Sequence, residues 1–174
     1  MPLPTPTPTS RRATLTALAG VAAGAAASLV GCGFAMRQPA RLSFSSIALV
    51  GFAPRSPLAE ALRRQLLLQV RELPTPDKAD VVLQTLLDMR EKSVVASTSA
   101  AQVREFQLRL KFNFRATTPS GRELIPRVDL LLTRDLSYTE VQALAKENEE
   151  AELYRAMTDD VVAQVLRRLA AVQV

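Results

Sequence analysis

Cys32 is the sole cysteine among 174 residues, and it directly follows Leu29-Val30-Gly31. A thiol placed after small residues can be acylated. The pattern reads as a bacterial lipobox, in which cleavage leaves Cys32 as the first mature residue. What precedes it fits that chemistry. Arg11 and Arg12 lead an apolar run from Ala13 to Val30, so positive charge, a greasy stretch and small residues occur in the order of a secretory signal. A lone cysteine is more often a small buried hydrophobe, and an apolar run is sometimes a span. This run is rich in Ala and Gly, however, and short against the roughly 20 residues a span needs. It has no amphipathic stripe, and the Pro-Thr repeats of Met1 to Thr9 precede it. The chain therefore divides into a signal peptide over residues 1–31, a lipidated tether over 32–40 and a domain over 41–174.

The remaining chemistry is set by what the chain lacks. It has no histidine, so with the thiol spent on lipid the usual zinc and iron ligands are missing. The common nucleophile-base pairs lose their base as well. No metal, no cofactor and no catalytic residue is expected. Glu147-Asn148-Glu149-Glu150 and Asp159-Asp160 are read as an exposed helix face, because a glycosidase pair needs two carboxylates converging in a cleft. Removal of residues 1–31 takes Arg11 and Arg12 away, which leaves 20 basic against 17 acidic side chains, a net +3. That mild excess, without a dense basic run, argues against a nucleic-acid partner.

One stretch does concentrate basic groups. Arg109, Lys111 and Arg115 share a parity along one strand, and Arg122, Arg127 and Arg134 follow on the next. Two readings stand. Long charged side chains solvate an exposed sheet face and discourage edge pairing, or several guanidinium groups engage the phosphates of a lipid. Glu105, Glu123 and Asp129 interrupt the face.

The elements that must position these groups can be read from periodicity. Leu42 to Phe52 reads as a first strand. Ser56-Pro57 opens a helix whose apolar positions run from Leu58 to Leu73, stopped by Pro74 and Pro76. From Asp80 the chain is extended, with Val81, Leu83, Thr85, Leu87 and Met89 on one face, and Ser97 to Ala101 reads as a turn. Phe106, Leu108, Leu110, Phe112, Phe114 and Ala116 then alternate strictly with polar residues, which puts one face on a core and one toward water. Thr118-Pro119-Ser120-Gly121 is a turn. Leu124 to Tyr138 returns with Val128, Leu130, Leu132, Leu136 and Tyr138 together, and Pro126 marks an edge or bulge. Thr139 to Val172 is helical, with a break expected near Asn148. The fold class is α+β: two helices packed on one face of a mostly antiparallel four-stranded sheet, in the order strand, helix, three strands, helix.

Three blocks together resemble the LptE family, lipoprotein partners of the LptD outer-membrane barrel. They are Cys32-Gly33-Phe34-Ala35-Met36-Arg37, the helix opening Ser56-Pro57-Leu58 before a strand meander, and a C-terminal block. That last block joins Arg134 to Tyr138 with Ala143-Leu144-Ala145-Lys146-Glu147-Asn148-Glu149, Met157 and Gln164 to Leu169. The resemblance implies a plug inside an LptD-type β-barrel that assists barrel assembly and contacts lipopolysaccharide, held at the outer membrane by its lipid anchor on the periplasmic side. Carried over by position, it implies a lipopolysaccharide contact at Lys146 and a structural or ligand-facing role for Arg134. A second basic site of some relatives falls in the loop Ser97 to Gln102, which here has no basic residue before Arg104. Arg104, Arg109, Lys111 and Arg115 are the further candidates. A rival expectation is an auxiliary lipoprotein of an ABC-type lipid transporter. A lipid-anchored periplasmic enzyme with a histidine-free active site is a third.

Overall fold

The structure, a computed structural model, describes residues 41–97, 99, 103–138 and 143–173. The expected signal peptide, the tether with Cys32, and most of the turn between Ser97 and Ala101 lie outside the described residues, as does the start of the last helix.

Five strands form one sheet in the order β2-β1-β3-β4-β5. They are β1 (Ser46–Val50), β2 (Arg71–Glu72), β3 (Val81–Ser97), β4 (Val103–Thr117) and β5 (Glu123–Ser137). Helix α1 (Pro57–Leu66) connects β1 to β2, and α2 (Ala143–Ala170) follows β5. β1 runs parallel to β2 and β3, whereas β3, β4 and β5 pair antiparallel. The sheet thus has five strands rather than the four expected, and the difference is β2.

β2 also explains why the first helix is shorter than its apolar spacing suggests. The Arg71 N–H donates to Ser45 O at 2.9 Å and the Leu73 N–H to Ile47 O at 2.8 Å. These edge bonds to β1 satisfy backbone groups that further helical turns would otherwise hold, so the chain leaves the helix after Leu66. At its start Ser56 Oγ accepts from the Ala59 N–H at 3.1 Å and donates to Asp88 Oδ2 at 2.6 Å, with Pro57 in the first turn.

The core lies between the sheet and both helices. Leu108, Leu110, Phe112 and Phe114 are fully buried against Leu62 and Leu66 of α1 and Met157, Val161, Val165 and Leu169 of α2. That second stripe, every three or four residues, is the helical period. α2 runs unbroken through Asn148. The expected break is absent because an interior Asn costs well under about 1 kcal/mol, less than the packing of the helix returns.

The largest departure from the sequence reading is a register shift in β3 between Thr85 and Leu87. Before it, Leu83 pairs with Ala116 on the core face. After it, Leu87 pairs with Asn113 and Met89 with Lys111 on the open face. Leu87 and Met89 therefore do not share a face with Val81, Leu83 and Thr85. A bulge inserts one residue and reverses every side chain beyond it, so Asp88, Arg90 and Lys92 turn toward the helices instead. Beside the shift, Gly51 has φ +83°, and a Cβ there would lie 2.5 Å from the carbonyl oxygen of Thr85. Only glycine fits that approach. A further shift in β4–β5 leaves Pro126 opposite no ladder partner on an edge strand, as its chemistry requires.

Candidate functional site

Lys146 lies in the first described turn of α2, against the far end of β5. Its Nζ donates to Ser137 Oγ at 3.1 Å and to Glu149 Oε2 at 2.7 Å, and its side chain is only 14% exposed. It borders a recess of about 140 Å³ walled by Lys92, Phe106, Tyr138 and Glu150. Lys92 reaches this recess only because of the β3 bulge. Its Nζ stands 4.2 Å above the centroid of the Phe106 ring and 2.6 Å from Glu150 Oε2. Phe106 meets Tyr138 edge to face at 5.2 Å. One ammonium group is thus held over an aromatic ring and a second borders the same recess, each paired with a glutamate. Glu149 is about half exposed (48%), so an incoming anion could displace it without moving the backbone. A phosphate or carboxylate in that place would accept charge-assisted hydrogen bonds.

The other candidates are not assembled around Lys146. Arg109, Lys111 and Arg115 do share the open face, and each is engaged locally. Lys111 Nζ lies 2.8 Å from Glu91 Oε1, Arg109 donates to Gln107 Oε1 at 2.8 and 2.6 Å, and Arg115 donates to Gln84 Oε1 at 2.8 Å. Met89 and Leu131, which flank Lys111 across the sheet, are exposed. That face is a mixed surface on which these three groups are bonded to their own neighbours, rather than a phosphate cradle. Arg134, grouped by sequence with the same face, has the parity of Leu132 and Leu136 and reaches across to Asp160 of α2 at 3.2 Å. It belongs to the helix-covered side. Arg104 is exposed near the start of β4 and has the parity of Phe106, not of Arg109. Of Arg122 and Arg127, the first is exposed in the turn and the second pairs with Asp129 at 3.0 Å.

Sequence reasoning missed Lys92, Arg90, Tyr154 and Glu150. Arg90 lies 5.0 Å over the Tyr154 ring and donates to Thr158 Oγ1 at 3.0 Å, while the Tyr154 hydroxyl donates to Glu91 O at 2.7 Å. Burial pushes the Tyr154 hydroxyl's pKa above its ordinary 10.0, aided by Glu150. Arg90, Glu150, Tyr154 and Thr158, with Arg64 and Arg155, line an open groove of about 670 Å³ between α1 and α2. The sequence carries only the adjacent pair Leu86-Leu87 as a hint, with one leucine at each parity. Among the described residues, no group of three or more Cys, Asp or Glu side chains is placed to hold a metal ion. No described helix is long and apolar enough to cross a membrane.

Comparison with known proteins bears on this arrangement. The family model described as "LptE: Lipopolysaccharide-assembly" matches residues 44–169. A curated relative from Photorhabdus laumondii subsp. laumondii, named LPS-assembly lipoprotein LptE, is 29% identical over 167 residues, covering 93% of this chain and 88% of its own. Among solved structures, lipoprotein B from Nitrosomonas europaea aligns with a TM-score of 0.69 at 29% identity, over 80% of this chain and 91% of that one. The rare lipoprotein B of Shewanella oneidensis aligns with a TM-score of 0.61 over 73% and 95% of the two chains. At 23% identity it speaks for the fold alone.

Proposed function

The chain belongs to the LptE family of lipopolysaccharide-assembly lipoproteins, and from that premise we propose that it is anchored at the outer membrane through Cys32, seats within an LptD-type barrel and binds lipopolysaccharide there. It works by binding, without bond-making chemistry. Two or more acyl chains on Cys32 hold it stably where one would be marginal, and confinement to the membrane raises its effective concentration near the barrel.

The observation that carries the ligand part is the Lys146 recess. A largely covered Lys146 side chain beside Lys92, in a recess also walled by Phe106 and Tyr138, offers charge, hydrogen bonds and apolar surface within one small volume. Those are the features of the phosphorylated, acylated end of lipopolysaccharide. Arg104 and Arg134 border this end of the sheet as secondary candidates, while Arg109, Lys111 and Arg115 sit on the open face, where they suit a polar barrel wall as well as a phosphate.

The test is in cells. A photo-activated crosslinker at Leu131, exposed on the open face, should capture a barrel-sized outer-membrane protein, and one at Leu144, beside the recess, should capture lipopolysaccharide. Capture of an inner-membrane transporter subunit at both positions would replace this reading with the transporter one.

A further inference from the structure

The end of the sheet opposite Lys146 carries two adjacent leucines in water. Leu67 and Leu68 are 61% and 76% exposed, while Leu66 and Val70 on either side are buried. The turn that ends α1 makes this so. The N–H groups of Gln69 and Val70 donate to Leu66 O at 2.9 and 2.8 Å, which rolls Val70 into the core and leaves the pair outside.

The same end receives the chain from Cys32. The Leu42 N–H donates to Gln69 Oε1 at 3.2 Å, so the domain's first described residues lie one position along from Leu68. Cys32 to Arg41 spans nine peptide units, a reach of about 30 Å fully extended. An acylated Cys32 therefore keeps this end within about 30 Å of a bilayer.

Charge is polarised the same way. Arg41, Arg71, Lys78, Arg122 and Arg167 are exposed around this end and make no ion pair among the described residues. Arg167 belongs here because Ser43 Oγ donates to Val172 O at 2.5 Å, which brings the end of α2 beside the first described residues. Of the nearby carboxylates, Glu72 is held by Arg63 at 2.9 Å and Asp80 by Ser45 and Ser46. Asp77 and Glu123 remain exposed. The far end instead gathers Glu147, Glu149 and Glu150 beside Lys146.

We propose that Leu67 and Leu68, at the same end of the sheet as these basic side chains, form with them a membrane-docking surface that seats on an anionic phospholipid leaflet beside the lipid anchor. The leucines enter the boundary between headgroups and acyl chains, and the arginines lie at the phosphate plane with their stems along the apolar surface. Docking fixes more than proximity, because it points the opposite end of the sheet, with the Lys146 recess, away from the leaflet. The proposal rests on the reading that Cys32 is acylated.

The chain has no tryptophan, so an added one reports alone. The full chain is produced with its lipid and reconstituted into phosphatidylcholine vesicles with or without phosphatidylglycerol, some carrying brominated acyl chains. Leu68→Trp and Leu67→Trp are compared with Leu144→Trp, as exposed as Leu68 but at the other end. All three replace surface leucines, and circular dichroism verifies their folding. The first two should show blue-shifted emission quenched by brominated lipid, more with phosphatidylglycerol, and Leu144→Trp should show neither. Arg41→Gln with Arg71→Gln should remove the phosphatidylglycerol dependence. Protein that floats with vesicles while all three tryptophans stay water-exposed overturns the proposal and leaves the anchor intact. Protein that fails to float, with an unmodified thiol by mass spectrometry, overturns the anchor reading and the proposal together. Shielding that appears only when a barrel co-purifies also overturns it, because the leucines then meet protein rather than lipid.

Discussion

Lys146→Gln separates the binding role of Lys146 from its structural one. Gln keeps a polar group near Ser137 and adds no charge, whereas Lys146→Asp would face Glu147, Glu149 and Glu150. In the folded chain the ammonium loses one ion pair to Glu149 at 2.7 Å, whose carboxylate is about half exposed. Screening by water limits that loss to about 0.5–1 kcal/mol, or a fall in melting temperature of roughly 2–5 °C. Binding should suffer more. A hydrogen bond from a charged donor to a phosphate contributes about 1.5–3 kcal/mol, which corresponds to roughly a 10- to 150-fold rise in Kd. The assay pairs a thermal melt with titration of purified lipopolysaccharide into the folded protein, and Lys146→Arg should recover most of the affinity. Affinity within about twofold of the parent, with an unchanged melt, refutes the recess as the ligand site. A collapse of the melt by more than roughly 10 °C refutes the view that Glu149 can be displaced at little cost.

Other outcomes follow from the fold. Gly51→Ala forces a non-glycine residue to φ +83° and sets a Cβ against the Thr85 carbonyl; the backbone strain alone costs about 1–3 kcal/mol, read as a lower denaturant midpoint. Ser56→Ala removes the α1 cap and strands Asp88, with a loss of about 1–2 kcal/mol by chemical denaturation. Asp80→Asn tests the acid range. Hydrogen bonds from Ser45, side chain first and then backbone, hold the Asp80 carboxyl below its ordinary 3.8. A lowered folded pKa stabilises the protein above the unfolded value and is lost as pH falls through the folded one. The stability gap between parent and Asp80→Asn should therefore be constant above about pH 5 and shrink below pH 4; a gap independent of pH would contradict this.

Much of this architecture was legible in the chain because single-face burial writes itself into period. Phe106 to Ala116 alternate because one side meets Leu62 and Met157 and the other meets water. Met157, Val161, Val165 and Leu169 recur at helical spacing for the same reason. Ser56 and Pro57 announced α1 through local chemistry, and Pro126 announced an edge. What was not legible depends on partners distant in sequence. β2 exists because Ser45 and Ile47 offer carbonyls to Arg71 and Leu73, and two residues carry no period. The β3 bulge has no marker residue of its own. It lies where Gly51 leaves room for the Thr85 carbonyl, and it decides that Lys92 joins Lys146 while Met89 does not. Arg134 was grouped with the open face by its charge, although its parity with Leu132 and Leu136 already placed it opposite.

A lipid-modified domain that works by binding inside an outer-membrane barrel should be recovered from cells with both its lipid and its barrel. Affinity purification of the tagged full-length chain from gently solubilised cell envelopes, with mass spectrometry of its N-terminal peptide and its partners, tests this most directly. The predicted result is a mature chain beginning at an acylated Cys32, recovered with a barrel protein in equal amounts and with lipopolysaccharide. Recovery of the chain with a free thiol at Cys32, alone and in the soluble fraction, would contradict it.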